Sequence, residues 1–258
     1  MNDLFDKVSQ LSAEGKACML VTVVDSAGAV PGKVGFKMIV LPDKTTFGTV
    51  GGGDLEAAAI DYAAELLASE KSELKHYNLD ELGMGCGGSV SLFFEYQPPA
   101  RTLLIFGGGH CGQALAQMAK LLGFRVKVYD SRANLHGLFP DGEFIHCDLE
   151  HLTVDTFPAS NAYVAIMTYN HVFDYSVLKQ ILTCGKSFEY IGLIGSVNKV
   201  RATRQRLQSE KIAIPDCLYA PIGLKIGAQT AAEIAVAILG EIIGVYHHTP
   251  VDSLRNLV

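Results

Sequence analysis

"LLIFGGGHCGQALAQMAK", residues 103–120, decides the fold of this chain. A short apolar run ends at Phe106, and Gly107, Gly109 and Gly112 then give the spacing G-x-G-x-x-G as a helical pattern begins. Glycine at these places permits a tight strand-to-helix turn, close approach of backbone to a pyrophosphate, and close packing of helix on sheet. The helix start adds free N–H groups and a partial positive charge that suit phosphate. Asp130 ends the next strand, "RVKVYD" (125–130), 18 residues after Gly112, about where an acceptor for ribose hydroxyls belongs. The competing reading is a Rossmann-like turn whose glycines serve packing alone. His110, inside the turn, reads either as a solvent-exposed loop histidine or as a donor to phosphate or an oxyanion.

Outward from the turn, β-rich apolar runs alternate with helical patterns. "GEFIHCD" (142–148), "AYVAIMT" (162–168) and "YIGLIGS" (190–196) read as buried strands; "DYSVLKQILTCG" (174–185) and "VRATRQRLQSEK" (200–211) read as helices. That alternation predicts a doubly wound parallel sheet. "TAAE" (230–233) is a capping box opening a last helix, with a Thr hydroxyl and a Glu carboxylate satisfying free N–H groups reciprocally. Lys199 and Arg201 stand at the start of the basic helix, where cations oppose the macrodipole, which hints at an anion there. Charge runs of this kind ordinarily form solvated helix faces.

Before the turn the rhythm differs. The prolines of "YQPPAR" (96–101) break helix and sheet alike and mark a linker, dividing the chain into residues 1–97 and 98–258. The first part has an amphipathic N-terminal helix, strands "CMLVTVVDS" (18–26) and "FKMIVLP" (36–42), a helix over about 54–69, and strands "ELKHYNL" (73–79) and "SVSLFFEY" (89–96). One helix among antiparallel-looking strands predicts a small α+β domain. The fold class is therefore α/β, a C-terminal Rossmann-like doubly wound parallel sheet with a smaller N-terminal α+β domain.

Half the residues are apolar and 19% charged, an ordinary globular balance, and the formal charge of −6 argues against a broad nucleic-acid surface. The first twenty residues lack the pattern of a secretory signal, and the apolar stretch 231–246 carries Glu233 and Glu241, so a cytoplasmic protein off the membrane is expected. Six cysteines are scattered without C-x-x-C or zinc spacing, which fits reduced thiols. Cys18, Cys147, Cys184 and Cys217 lie beside apolar runs and read as small buried residues; Cys86 and Cys111 sit in glycine loops.

Cys86 lies in "GMGCGGSV" (83–90), among Gly83, Gly85, Gly87 and Gly88. Such a loop is entropically costly. It is either a tight turn with a bystander cysteine or a sulfur presented to something large. In "VGGGDLE" (50–56), Asp54 reads as an N-cap and Glu56 as an acid near the helix's positive end. "YSVLK" (175–179) mimics the Tyr–Lys pair of short-chain dehydrogenases, but the expected upstream serine is missing and its neighbours have core spacing. Tyr175 and Lys179 are therefore expected to be structural.

Five stretches in one order, "GTVGGGDLE" (48–56), "GMGCGGSVSLFFE" (83–95), "IFGGGHCGQALA" (105–116), "YIGLIGSVNKVRATRQRL" (190–207) and "PIGLKIGAQTAAEIAVAILGEI" (221–242), strongly resemble the XdhC/CoxI family of xanthine dehydrogenase accessory proteins. The resemblance runs almost end to end. It implies a chaperone rather than a turnover enzyme, one that binds molybdenum cofactor, protects it during sulfuration and delivers it to a molybdenum hydroxylase. Members are typically dimers working with a cysteine desulfurase and the client. On this reading the anionic cofactor tail, mononucleotide or dinucleotide, meets Gly107, Gly109, His110, Gly112, Asp130, Lys199 and Arg201. Cys86 meets the molybdenum as soft ligand or handles its sulfur, and Glu56 becomes a polar site candidate. Asp54 stands where many relatives have Cys, and Gly32-Lys33 where relatives often place Arg after Pro. The competing functions are an NAD(P)-dependent oxidoreductase using the same turn and a nucleotide-sensing module without chemistry.

Overall fold

The computed structural model describes residues 2–83, 87–140, 142–153, 157 and 162–250. The chain forms two compact units, Met1–Ala100 and Arg101–Val258.

In the first unit, helix α1 (Asn2–Ala13) precedes strands β1 (Cys18–Ala27), β2 (Lys37–Val40) and β3 (Thr46–Gly48). Helix α2 (Gly53–Ser69) and strands β4 (Glu73–Asn78) and β5 (Ser89–Gln97) follow. The strands make one antiparallel sheet in the order β3-β2-β1-β5-β4. Period-two alternation sorts β1 onto two faces. Met19, Val21 and Val23 pack with Leu55, Ala59 and Ala63 of α2, while Cys18 and Leu20 pack with Leu11 of α1 and Ile39. Both faces of the sheet are thus covered, each buried Leu or Val contributing about 1.5–3 kcal/mol relative to exposure.

The second unit is a parallel sheet of six strands. In chain order come β6 (Thr102–Phe106), α3 (His110–Leu121), β7 (Arg125–Asp130), a 3-10 turn (Ala133–Leu138), β8 (Phe144–His146), β9 (Ala162–Ile166) and α4 (His171–Thr183). Then follow β10 (Tyr190–Leu193), α5 (Val197–Ser209), β11 (Leu218–Tyr219) and α6 (Ala231–Tyr246). The spatial order is β11-β10-β9-β6-β7-β8, the doubly wound arrangement that places a switch point between β6 and β9. Helices α3 and α6 cover one face through Leu115, Ala119, Ile238 and Ile242. Helices α4 and α5 cover the other through Val177, Leu178, Ile181 and Leu207. Strand β9 is buried along its whole length, which explains its unbroken apolar sequence.

Several boundaries move from expectation. Strand β10 stops at Leu193, and Ser196 starts α5 by accepting the Lys199 N–H on its hydroxyl. Asn170 likewise starts α4 early, accepting the Val172 N–H. Strands β3 and β11 have only three and two residues, too short for a period to register. No described helix is long and apolar enough to cross a membrane.

Candidate functional site at the carboxyl edge of the parallel sheet

In an open parallel sheet, ligands lie beyond the carboxyl ends of the strands at the switch point. Here β6 runs into Gly107, whose φ is +120°; a Cβ on it would sit 2.2 Å from the Met167 carbonyl oxygen in the segment after β9. A Cβ on Gly112 would sit 2.0 Å from the Gly107 carbonyl oxygen. These two glycines let strand, turn and α3 close on one another. Gly109 is different. It is the N-cap of α3, and among the described residues no side chain caps it and the only atom near an added Cβ is Arg132 Nη2 at 3.9 Å. His110, the first residue of α3, is exposed.

Asp130 ends β7 fully buried, the only charged side chain in the core among the described residues. Its Oδ2 accepts the Gly108 N–H at 2.8 Å and Arg132 Nη2–H at 2.7 Å. Its Oδ1 accepts the Arg132 backbone N–H at 3.0 Å and Nε–H at 2.9 Å. Burial alone would push this carboxyl's pKa up, but the bonds from Arg132 and Gly108 outweigh it and hold it below the ordinary aspartate value. The acid at the end of β7 is thus turned inward. Arg132, which composition and spacing do not single out, stands in front of it, its guanidinium 4.6 Å from the centre of the Tyr169 ring. Its only mark in the sequence is its place two residues after Asp130, which does not by itself distinguish it from other arginines.

Across the switch point, Asp174 in the first turn of α4 accepts from the Thr168 backbone N–H at 2.8 Å and from its hydroxyl at 2.7 Å. Burial raises the Asp174 pKa, while those bonds and the charge of Lys199 pull against it. Lys199 therefore belongs electrostatically to the segment that abuts Gly107. Arg201 does not: with Arg204, Val197 and Pro221 it lines a separate groove of about 370 Å³. It falls in the second turn of α5 rather than the first, and helix positions two apart do not share a face. Ile194, Gly195, Leu224 and Lys225 line a further groove of about 280 Å³ after β10. Its loop is pinned by Glu241, whose Oε2 accepts from the Tyr190 hydroxyl at 2.5 Å and the Gly223 N–H at 2.9 Å.

Tyr175 and Lys179 lie in packing roles. Tyr175 is buried with Arg206 stacked 3.7 Å from its ring centre, and Lys179 Nζ is 2.6 Å from Glu210.

In the first unit, three glycine loops meet at one end of the sheet. A Cβ on Gly32 would lie 2.1 Å from the Val50 carbonyl oxygen, and one on Gly88 would lie 2.9 Å from the Ala27 and Ala29 oxygens. Glu56 ties the middle loop: its Oε2 accepts from the Thr49 hydroxyl at 2.5 Å and from the Val50 and Gly52 N–H groups, both at 3.2 Å. Asp54 is not the N-cap. That position belongs to Gly52, with φ +82°, because the loop needs a left-handed residue there. Cys86 lies outside the described residues. Of its neighbours, Gly83 and Gly87 both have positive φ, neither has a described atom within 4 Å of an added Cβ, and the Gly87 N–H donates to Asp80 at 3.0 Å. Among the described residues no cluster of His, Cys, Asp and Glu has the make-up of a metal site. Cys111 packs partly buried against the core, and burial pushes the Cys18 and Cys147 thiols up to about 11.

Residues 103–242 match the family described as the XdhC Rossmann domain, and residues 11–78 match the XdhC and CoxI family. A protein of Escherichia coli K12 named YqeB, itself described as uncharacterized, is 30% identical over 96% of this chain and 47% of its own length. A probable xanthine dehydrogenase component of Bacillus subtilis is 33% identical over 60% of the chain and 46% of its own length. The chain thus spans about half the length of these two relatives. PaoD of Escherichia coli, named a molybdenum cofactor insertion chaperone, is 23% identical over 93% of the chain and 86% of its length. A crystal structure of a xanthine dehydrogenase from Bacillus halodurans superposes with a TM-score of 0.52 at 22% identity, covering 95% of this chain and 96% of that one, and so shares the fold. With a glycine turn, a six-stranded doubly wound sheet and matches across both units, the chain belongs to the XdhC and CoxI family.

Proposed function

We propose that this chain is a molybdenum cofactor chaperone: it binds the cofactor, shields it while the metal receives sulfur, and hands it to a xanthine dehydrogenase-type hydroxylase. The observation that carries the reading is the pairing of an uncapped helix start at Gly109 with the anchored guanidinium of Arg132, an edge built to receive phosphate. The cofactor is a pterin with a dithiolene-held metal and a phosphate or dinucleotide tail, so it brings an anion to that edge. PaoD, alignable over most of both chains, carries the cofactor chaperone name, and the family's xanthine dehydrogenase relative supports the class of client.

In this reading Gly107, Gly109, His110, Gly112 and Lys199 serve the tail, with Arg132 doing the work expected of Asp130. Cys86 supplies the soft sulfur for the metal end. Glu56 serves indirectly, by fixing the glycine loop that precedes α2. The chain acts in the cytoplasm as a homodimer, with a cysteine desulfurase as sulfur source. The test is reconstitution. A cofactor-free hydroxylase is given sulfurated cofactor with and without this protein. The reading expects a several-fold rise in active hydroxylase and co-elution of the two proteins. No rise and no association would refute it.

A further inference from the structure

We infer that Arg132, anchored by the buried Asp130, is the receptor for a phosphate monoester at the glycine turn, and that this pair makes the site select phosphate-ended over diol-ended ligands. A Rossmann acid at the end of the second strand ordinarily offers its carboxylate to ribose hydroxyls. Here that carboxylate is fully buried, and four N–H donors occupy its oxygens: Gly108 N, Arg132 N, Nε and Nη2. A carboxylate has about four lone-pair sites, so none is left for a diol. What the strand end presents instead is a cation. Two of the guanidinium's N–H bonds go to Asp130. Among the described residues, the Nη1 hydrogens and one on Nη2 are left for a ligand.

That cation is also held in place. Asp130 grips one edge, the Tyr169 ring lies 4.6 Å from its face, and Nη2 stands 3.9 Å from where a Gly109 side chain would begin. A phosphate against the start of α3 would meet the guanidinium without any rearrangement, and a monoester, close to dianionic at neutral pH, gains more from it than a neutral diol. The inference rests on reading this turn as the ligand edge proposed above. The shared chemistry is the monoester itself, which comes either from the terminal phosphate of the pterin or from the 2′-phosphate of a nucleotide.

The test is calorimetric titration of ligand-free protein with adenosine 2′,5′-bisphosphate and with 5′-AMP, which differ only at the 2′ position. Wild type is expected to favour the bisphosphate at least tenfold. Arg132→Met should bring the two within about twofold, and Arg132→Lys should fall between, because a point charge replaces the fork. Should Arg132→Met fail to fold with Asp130 unpaired, Asp130→Asn/Arg132→Met removes both charges and is read in the same way. Equal affinities in wild type, no binding of either ligand, or a preference surviving in the double variant would overturn the inference. Pterin-loaded protein separates the two sources: loading abolishes bisphosphate binding if the pterin phosphate takes the position and spares it if a nucleotide does. An Arg132-dependent preference in protein that never carries pterin would sink the cofactor reading and keep this one. Equal pterin retention by wild type and double variant, with no preference, would do the reverse.

Discussion

Gly107 and Gly112 show how little freedom the turn has at the level of single residues. A methyl group on either would press within about 2.2 Å of a backbone oxygen, and backbone cannot yield as a flexible side chain does. Gly107→Ala and Gly112→Ala should each lose about 3 kcal/mol in urea unfolding. Gly109→Ala should lose only about 1 kcal/mol, since among the described residues its Cβ meets nothing closer than 3.9 Å. Two carboxylates make opposite pH predictions. Asp130 has its folded pKa below the unfolded value of about 3.9, so its contribution is full above that pH and is lost as pH falls further. Asp130→Asn should therefore flatten the acid limb of a stability–pH curve. Asp174 has its folded pKa raised, so folding gains most while it is protonated, and stability is lost as pH rises from about 4. Asp174→Asn should remove that loss. Melting curves from pH 3 to 7 read both; the same slope for both variants would contradict this assignment.

Elements are legible in the sequence wherever their signals are local. "RVKVYD" is strand β7 residue for residue, since apolar residues alternate to Asp130 and a glycine-ended helix precedes them. The capping box is also present: Thr230 accepts the Glu233 N–H at 3.2 Å and the Glu233 carboxylate accepts the Thr230 N–H at 2.9 Å. Thr230→Ala should cost about 1 kcal/mol and spare Gln229, whose N–H Glu233 also holds; no change in melting temperature would show the box to be ornamental. Signals that depend on distant partners are not legible. Arg132 escapes a reading of the sequence because its meaning needs Tyr169 and Gly109, which only the fold brings to it. Sequence places Arg201 beside Lys199 and so suggests the turn for both, whereas the helix rotates the two onto different sides. The side chain of Asp54 suits a cap, but the loop's left-handed backbone reserves that position for Gly52.

At the scale of the whole molecule, each unit has its own apolar core and its own glycine-built edge. In the proposed reading the second unit carries an edge suited to an anion, and the first carries a sequence in which Cys86 stands among four glycines. Cys86→Ala should leave the fold intact and lower retained molybdenum about tenfold, read by metal analysis of the purified variant against wild type; undiminished metal would free Cys86 of its proposed role. The most direct measurement is pterin and molybdenum content of the wild-type protein, purified from a cofactor-producing host under reducing, anaerobic conditions. Cofactor in stoichiometric amount with the chain is the predicted result. Protein that folds, elutes intact and carries no pterin would contradict the central claim.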